Sequence, residues 1–327
     1  MTGPTRGFGR VAVERILAGS PKAHLVLLAR GTAGAELATD LSRKGHSVTS
    51  IPVDLLSLGS VRAAADEVAR RLDRGELPPL RMLVSNAGVL FTNDVTESPD
   101  GFEATFAVNV LANHVLIRRL QDRFEAASRI VITVSDAHFG DFRHNKGMMP
   151  GPSWKDSALL ARISAFPKAE TVTAGGIANS TSKLAAIYLI HEYARRLPSG
   201  VDIVGYNPGF VPGTGLTRGA GAAVRLAMRT IMPLMTLTSL ASTQQEAGRH
   251  FADVVLGLTP APSGSYVDRT REARSSWMSS ARSTSSPTPA GNGPSAADGT
   301  RIPTGNRGDK EQGSMIRHND SGRQSRT

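Results

Sequence analysis

The feature that most restricts the fold of this chain is a regular alternation of two textures over its first 270 or so residues. Short apolar runs occur at His24–Ala29, Ser47–Val53, Met82–Ser85, Ile130–Ser135 and Val201–Tyr206, with a last one at Gly264–Val267. Between them lie longer stretches with apolar residues at helical spacing: Val11–Leu17, Ala33–Arg43, Ser60–Leu72, Phe102–Phe124 and Ser182–Leu197. A strand that is apolar throughout has to be covered on both faces. Strand and helix in steady succession therefore predict βαβ units, that is, an α/β fold with a doubly wound parallel sheet between two layers of helices, α/β/α. A hydrophobic content of 40% supplies the core such a sheet needs.

Two regions interrupt the rhythm. Residues 140–176 form a long connection with Pro, Gly, Trp154 and many polar residues, and a connection of that length in a compact domain is usually functional or mobile. Residues 214–242 form a second excursion with apolar residues at helical spacing. These readings make residues 1–272 one domain. From 273 to 327 Ser, Thr, Pro, Gly, Asn and Arg dominate. Such a tail buries too little apolar surface to offset its ordering entropy and is expected to be disordered.

Composition narrows the chemistry. With no cysteine, thiol nucleophiles, disulfides and cysteine-based zinc sites are excluded. The net charge of +10 fits nucleic acid, anionic lipid or a phosphorylated ligand. The basic residues are scattered and no nucleic-acid motif accompanies them, so a small-molecule ligand is expected and nucleic acid is not. The most apolar stretch, Val224–Ala241, is interrupted by Arg229 and Pro233, so no membrane span is expected. No secretory signal follows Met1, and a cytoplasmic location is the expectation.

Residues 2–9 read Thr-Gly-Pro-Thr-Arg-Gly-Phe-Gly and lead into a helix. Gly3, Gly7 and Gly9 let the backbone turn tightly and approach a pyrophosphate at the helix N-terminus. Asp54 and Leu55 follow one strand, and Asn86-Ala87-Gly88 follows the next, where small residues let a flat ring lie close to the backbone. Together these point to a Rossmann-type dinucleotide site. Further along stand Asn109, Ser135, Lys183 and Asn207-Pro208-Gly209. In this order the motifs resemble the short-chain dehydrogenase/reductase family over about residues 1–270, in particular its retinol dehydrogenase and protochlorophyllide reductase-like, NADP-dependent branch.

The resemblance implies a cofactor and a set of roles. Arg6, before the second loop glycine, and Arg30, after the strand Val26–Ala29, fall where NADP-dependent relatives read the 2′-phosphate, and no carboxylate stands there to favour NAD. NADP(H) is therefore expected over NADH. It would be held by Thr2, Gly3, Arg6, Gly7, Phe8, Gly9, Arg30, Asp54, Leu55, Asn86, Ala87, Gly88, Lys183, Pro208, Gly209, Val211 and Thr214. Ser135 would hold the substrate oxygen, Lys183 the nicotinamide ribose, and Asn109 a water that feeds the lysine. The activity implied is hydride transfer between NADP(H) and a carbonyl or secondary alcohol. Leu226, Met228, Ile231, Met232, Leu234 and Met235 in the second excursion suggest an apolar substrate. A homo-oligomer is implied by analogy alone.

Two departures stand out. The family carries its catalytic tyrosine four residues before the lysine, and here that residue is Asn179. Tyr188 falls on roughly the opposite helix face, and Tyr193 lies about 21 Å farther along the axis. An asparagine amide donates a hydrogen bond but does not ionise near neutral pH. His138 and His144 are candidate substitutes for the lost acid. The alternative is a catalytically weak NADP(H)-binding sensor or scaffold. The second departure is at the start: no room precedes the glycine loop for the family's first strand. The expectation is therefore a sheet lacking its first strand, with two backbone ladders left unpaired at its centre.

Overall fold

The computed structural model describes residues 1–145, 147–212, 217–218, 242–268 and 271–274, the two short outlying pieces by backbone alone. The strands are β1 (His24–Ala29), β2 (Ser47–Pro52), β3 (Leu80–Ser85), β4 (Phe124–Thr133), β5 (Val201–Asn207), β6 (Tyr266–Asp268) and β7 (Arg271–Arg274). The helices are α1 (Gly7–Gly19), α2 (Ala33–Arg43), α3 (Leu58–Asp73), a composite α4, α5 (Val172–Arg196) and α6 (Gln244–Val255). Helix α4 runs through Ala104–Phe106, a π-helical turn Ala107–Leu111 and Ala112–Leu120. β1 pairs with β2, and β3, β4, β5 and β6 pair in that order, all parallel; β7 closes the edge antiparallel. Two layers of apolar side chains cover the sheet. One gathers Val61, Leu116, Ile130 and Ile190 with α3, α4 and α5. The other gathers Val13, Leu27, Val204 and Phe251 with α1, α2 and α6. The three-layer α/β architecture expected from the alternation is the one found.

The centre of the sheet corrects the expectation of an empty slot. Met1 and Thr2 lie between β1 and β3. The Met1 nitrogen donates to the Val26 carbonyl at 2.8 Å, and Leu28 N–H donates to the Met1 carbonyl at 2.8 Å. On the other side Thr2 N–H donates to the Val84 carbonyl at 2.9 Å, and Thr2 bridges in parallel to both Leu28 and Ser85. A two-residue stub thus joins the half-sheets. Its reach shows in burial: only the last three residues of β1 and of β3 are buried.

Element boundaries shift in two places. Helix α5 begins at Val172, ten residues before the predicted start, where the Thr171 hydroxyl caps it by accepting from Ala174 N–H. Its first turns are poor in large apolar residues because they press against other chain segments. A Cβ on Gly175 would strike the backbone of residues 91–93, and one on Gly176 would strike the Pro150 ring. The predicted helix 102–124 ends at Leu120, and Phe124 already opens β4.

Part of the long connection is docked. Ser157–Leu160 forms a short helix, and residues 161–169 lie on residues 94–104. Ser164 N–H donates to the Asp94 carbonyl, Phe166 N–H to Asp94 Oδ2, and Glu103 N–H to the Ala161 carbonyl, at 2.7, 2.8 and 2.9 Å. The Glu103 carboxylate accepts from Thr105 and Phe106 N–H and so caps α4. Both carboxyls are buried, and Asp94 Oδ1 has no partner. Burial raises Asp94 to about 6 and Glu103 to about 7, the latter with a smaller contribution from the charge of Asp94.

Two outcomes follow. Thr2→Pro removes the N–H that holds β3, while Thr2→Val leaves Ala87 N–H without its acceptor. Urea unfolding is expected to cost Thr2→Val about 1–3 kcal/mol and Thr2→Pro at least about 3 kcal/mol. Equal midpoints for Thr2→Pro and the parent chain would show that the stub carries no load. For the carboxyls, folded values lie above ordinary ones of 3.8 and 4.5. Their contribution to stability is complete below those ordinary values and is lost as pH rises through about 6 and then about 7. Asp94→Asn is expected to flatten the first of these losses in melting curves taken from about pH 3 to 8.

Candidate active site

The glycine loop owes its shape to close approaches. Gly3 (φ +61°) and Gly7 (φ +60°) sit in the left-handed region. A Cβ on Gly9 would run into the Gly3 carbonyl, and one on Gly3 would lie 2.8 Å from Asn86 Nδ2. The loop is pinned at its base by Asn86 Nδ2 donating to the Gly3 carbonyl (2.8 Å) and Ala87 N–H donating to Thr2 Oγ1 (3.0 Å). It ends at the N-terminus of α1, whose cap residue Arg6 makes no side-chain capping bond and whose first turn holds no acid. Uncapped amides at a helix start, with no carboxylate near them, fit a pyrophosphate.

Most of the remaining predicted cofactor residues follow the carboxyl ends of β1, β2, β3 and β5. Arg6 and Arg30 are exposed. Arg30 leads through Gly31 (φ +59°) into α2, which also lacks a side-chain cap. Asp54 Oδ1 accepts from Leu56 N–H at 3.2 Å, and Leu55 packs partly into the core. Gly88 is half-buried, and Gly209 (φ +68°) donates its N–H to Asn207 Oδ1 (3.0 Å) after the buried Pro208. Val211 is buried. The Phe8 ring turns inward against Phe251, with centroids 5.6 Å apart, so only its backbone faces the helix start. Thr214 and the six apolar residues of the second excursion lie outside the described residues.

The four expected catalytic positions converge. Lys183 Nζ, buried, donates to the Thr133 carbonyl at 3.0 Å; the Thr133 hydroxyl reaches Asn86 Oδ1 at 3.5 Å, and Asn86 holds Gly3. One polar chain therefore ties the lysine to the glycine loop. Burial lowers the Lys183 ammonium to about 8. Asn109 sits in the π-helical turn of α4 and its amide is fully engaged. Oδ1 accepts from Val89 N–H, and Nδ2 donates to the Val89 carbonyl and to Ser182 Oγ, each at 3.0 Å. Ser182 Oγ in turn donates to the Asn179 carbonyl (2.7 Å). Ser135 follows β4, and its hydroxyl accepts from Ala137 N–H at 3.2 Å.

Asn179 stands one turn before Lys183 on α5. It is buried and its Oδ1 has no partner among the described residues, a costly state for an amide oxygen. All four tyrosines are otherwise engaged. Tyr188 packs edge-on against Trp154 at 4.8 Å, and Tyr193 OH meets His114 Nδ1 at 3.0 Å. Tyr206 OH donates to the Ala247 carbonyl at 2.9 Å, and Tyr266 OH donates to Asp136. Burial, with the nearby Asp136 charge, pushes the Tyr266 phenol far above its ordinary value, so it is no acid near neutrality. Sequence reasoning missed Thr133 and Ser182, which join the predicted residues to one another. Each is adjacent to or near a predicted residue, but nothing in composition marks a residue that acts through its neighbour's contacts.

Comparison with known proteins accords with this geometry. The short chain dehydrogenase family matches residues 1–146. The candidate daunorubicin C-13 ketoreductase DnrU of Streptomyces sp. (strain C5) is 31% identical over 263 residues, covering 77% of this chain and 82% of that protein. Protochlorophyllide reductase B of Hordeum vulgare is 28% identical over 291 residues, covering 81% and 69%. Among solved structures, the NADPH-bound carbonyl reductase from chicken fatty liver superposes with a TM-score of 0.55 at 20% identity, covering 84% of this chain and 96% of that one.

Asn109→Leu is expected to leave the buried Val89 N–H and carbonyl unpaired and to cost about 2–5 kcal/mol in denaturant unfolding. A loss under about 0.5 kcal/mol, the range of an ordinary surface change, would mean the Asn109 clamp is dispensable.

Proposed function

We infer, for a chain that belongs to the short-chain dehydrogenase/reductase family, that it is an oxidoreductase binding NADP(H) in preference to NADH. Its substrate is a carbonyl or secondary alcohol on an apolar small molecule. The observation that carries this reading is the polar chain from Lys183 through Thr133 and Asn86 to Gly3. It links a buried amine to an uncapped helix start, and such an arrangement suits a dinucleotide laid along the sheet edge. Several solved neighbours are complexes with NADP or NADPH, which supports the choice of cofactor. The exposed Arg30, before the uncapped α2, would bond a 2′-phosphate bidentately.

The cofactor supplies or accepts hydride. The protein's share is to hold and polarise. Lys183 Nζ would exchange its Thr133 bond for a ribose hydroxyl, and the Ser135 hydroxyl would donate to the substrate oxygen. Asn179 leaves the usual proton donor missing, and loss of a positioned general acid costs on the order of 10²–10⁴ in rate. A second reading, an NADP(H)-binding sensor or scaffold with little turnover, is supported by the same residue, since the amide of Asn179 cannot supply a proton near neutral pH. Among the described residues no helix is long and apolar enough to cross a membrane.

Fluorescence titration with NADPH and NADH tests the first claim. NADPH is expected to bind at least about tenfold tighter, and Arg30→Glu to erase most of that margin, because charge-assisted bonds contribute about 1.5–3 kcal/mol. No binding of either nucleotide would sink the reading. Asn179→Tyr is expected to raise turnover on a panel of ketones and aldehydes by about 10²–10⁴. An unchanged rate would mean that the residue at 179 does not limit the chemistry.

A further inference from the structure

One half-buried titratable group beside Ser135 has no task in the reading above. Residues Asp136–Phe139 form a tight turn directly after Ser135, and this turn packs against α5, the helix that carries Asn179 and Lys183. Within it His138 Nδ1 lies 2.6 Å from the Ser135 carbonyl oxygen. A carbonyl only accepts, so Nδ1 carries a proton and the neutral ring presents an unprotonated Nε2. The ring is wedged between Phe139, with centroids 4.0 Å apart, and Tyr266, at 5.2 Å. It is therefore held at one nitrogen by backbone and on two sides by aromatic groups, and among the described residues Nε2 has no hydrogen-bond partner.

We propose that His138 is the proton-transferring group of this site, and that it works as a base on a bound secondary alcohol. The proposal rests on the NADP(H) reading above. In the step, the alcohol O–H bond breaks and its proton passes to His138 Nε2. The hydride on the carbinol carbon passes to the nicotinamide ring of an oxidised dinucleotide, and the carbon–oxygen double bond forms. The imidazolium then releases its proton to water. The orientation suits oxidation better than reduction, because a neutral ring with Nδ1 already protonated accepts a proton and has none to spare. Burial holds the imidazole below its ordinary value, the bond to the Ser135 carbonyl and the charge of Asp136 on the same turn oppose this, and His144 of the short helix Phe142–Asn145 adds to it. Tyr266 faces the ring with its hydroxyl committed to Asp136. Lys183 is the one titratable group in the N-terminal half of α5.

The test combines kinetics with a measurement on the free protein. His138→Asn keeps an N–H able to bond the Ser135 carbonyl but cannot take up a proton. With NADP and a panel of secondary alcohols, the parent chain is expected to form NADPH at a rate that rises with pH through one ionisation below 6.5 and then levels. His138→Asn is expected to lose about 100-fold of that rate while binding NADPH as before. In the Asn179→Tyr background the same change is expected to cost less than about threefold, the tyrosine then carrying the proton. Nitrogen-15 NMR of the cofactor-free chain at pH 7.5 should show Nδ1 protonated and Nε2 bare. His138→Asn retaining activity within about threefold would overturn the proposal. So would the opposite tautomer, or a parent chain that binds NADPH yet oxidises no alcohol. A chain that binds neither nucleotide would instead refute the functional reading on which the proposal stands.

Discussion

A parallel sheet cannot keep a gap at its centre, because both flanking strands would then hold rows of N–H and C=O groups away from water without partners. In this chain Met1 and Thr2 fill the gap with three backbone hydrogen bonds, two to β1 and one to β3. The same two residues set the height of the site. The Thr2 hydroxyl fixes Ala87, and the loop that follows folds back on Asn86. Joining the half-sheets and forming the ligand cradle are therefore one structural act. Burial in β1 and β3 is confined to the ends beside the stub, which is what a short central element can cover.

From that centre the polar chain extends outward. Asn86, Thr133 and Lys183 come from three elements, β3, β4 and α5, and each bond fixes the next. A second set, Asn113 to the Asn109 carbonyl, Asn109 to Val89 and Ser182, and Ser182 to Asn179, locks α4 against α5. The π-helical turn at Ala107–Leu111 is part of this lock. It breaks the helical ladder where side-chain amides supply the missing partners. Such fully satisfied buried networks are rigid, since losing any member leaves another unpaired in a medium of low dielectric. Asn179 is the exception, an amide oxygen with no partner among the described residues at the point where the family places its reactive phenol.

The long connection after Ser135 serves two ends. Its first turn holds His138 against the Ser135 carbonyl, and its later part is stapled to residues 94–104 through the buried Asp94 carboxyl and backbone bonds. That carboxyl is costly to ionise where it sits, so the attachment of this segment is linked to pH around 6.

The sequence by itself determined the architecture. Uniformly apolar strands separated by helical spacing demand two covering layers, and β1, β2, β3 and β5 run within two residues of their expected limits. It also marked the candidate site, because Gly3, Asn86, Ser135 and Lys183 are recognisable by type and order. What only the tertiary structure decided is how these residues are held. That Met1 and Thr2 act as a strand, that α5 starts at Val172 among glycines and hydroxyls, that Phe8 turns into the core, and that Thr133 links Lys183 to the glycine loop all depend on contacts between distant segments. Periodicity reports which face of an element is buried; it carries no information on which remote backbone group a particular hydroxyl, amide or glycine will meet.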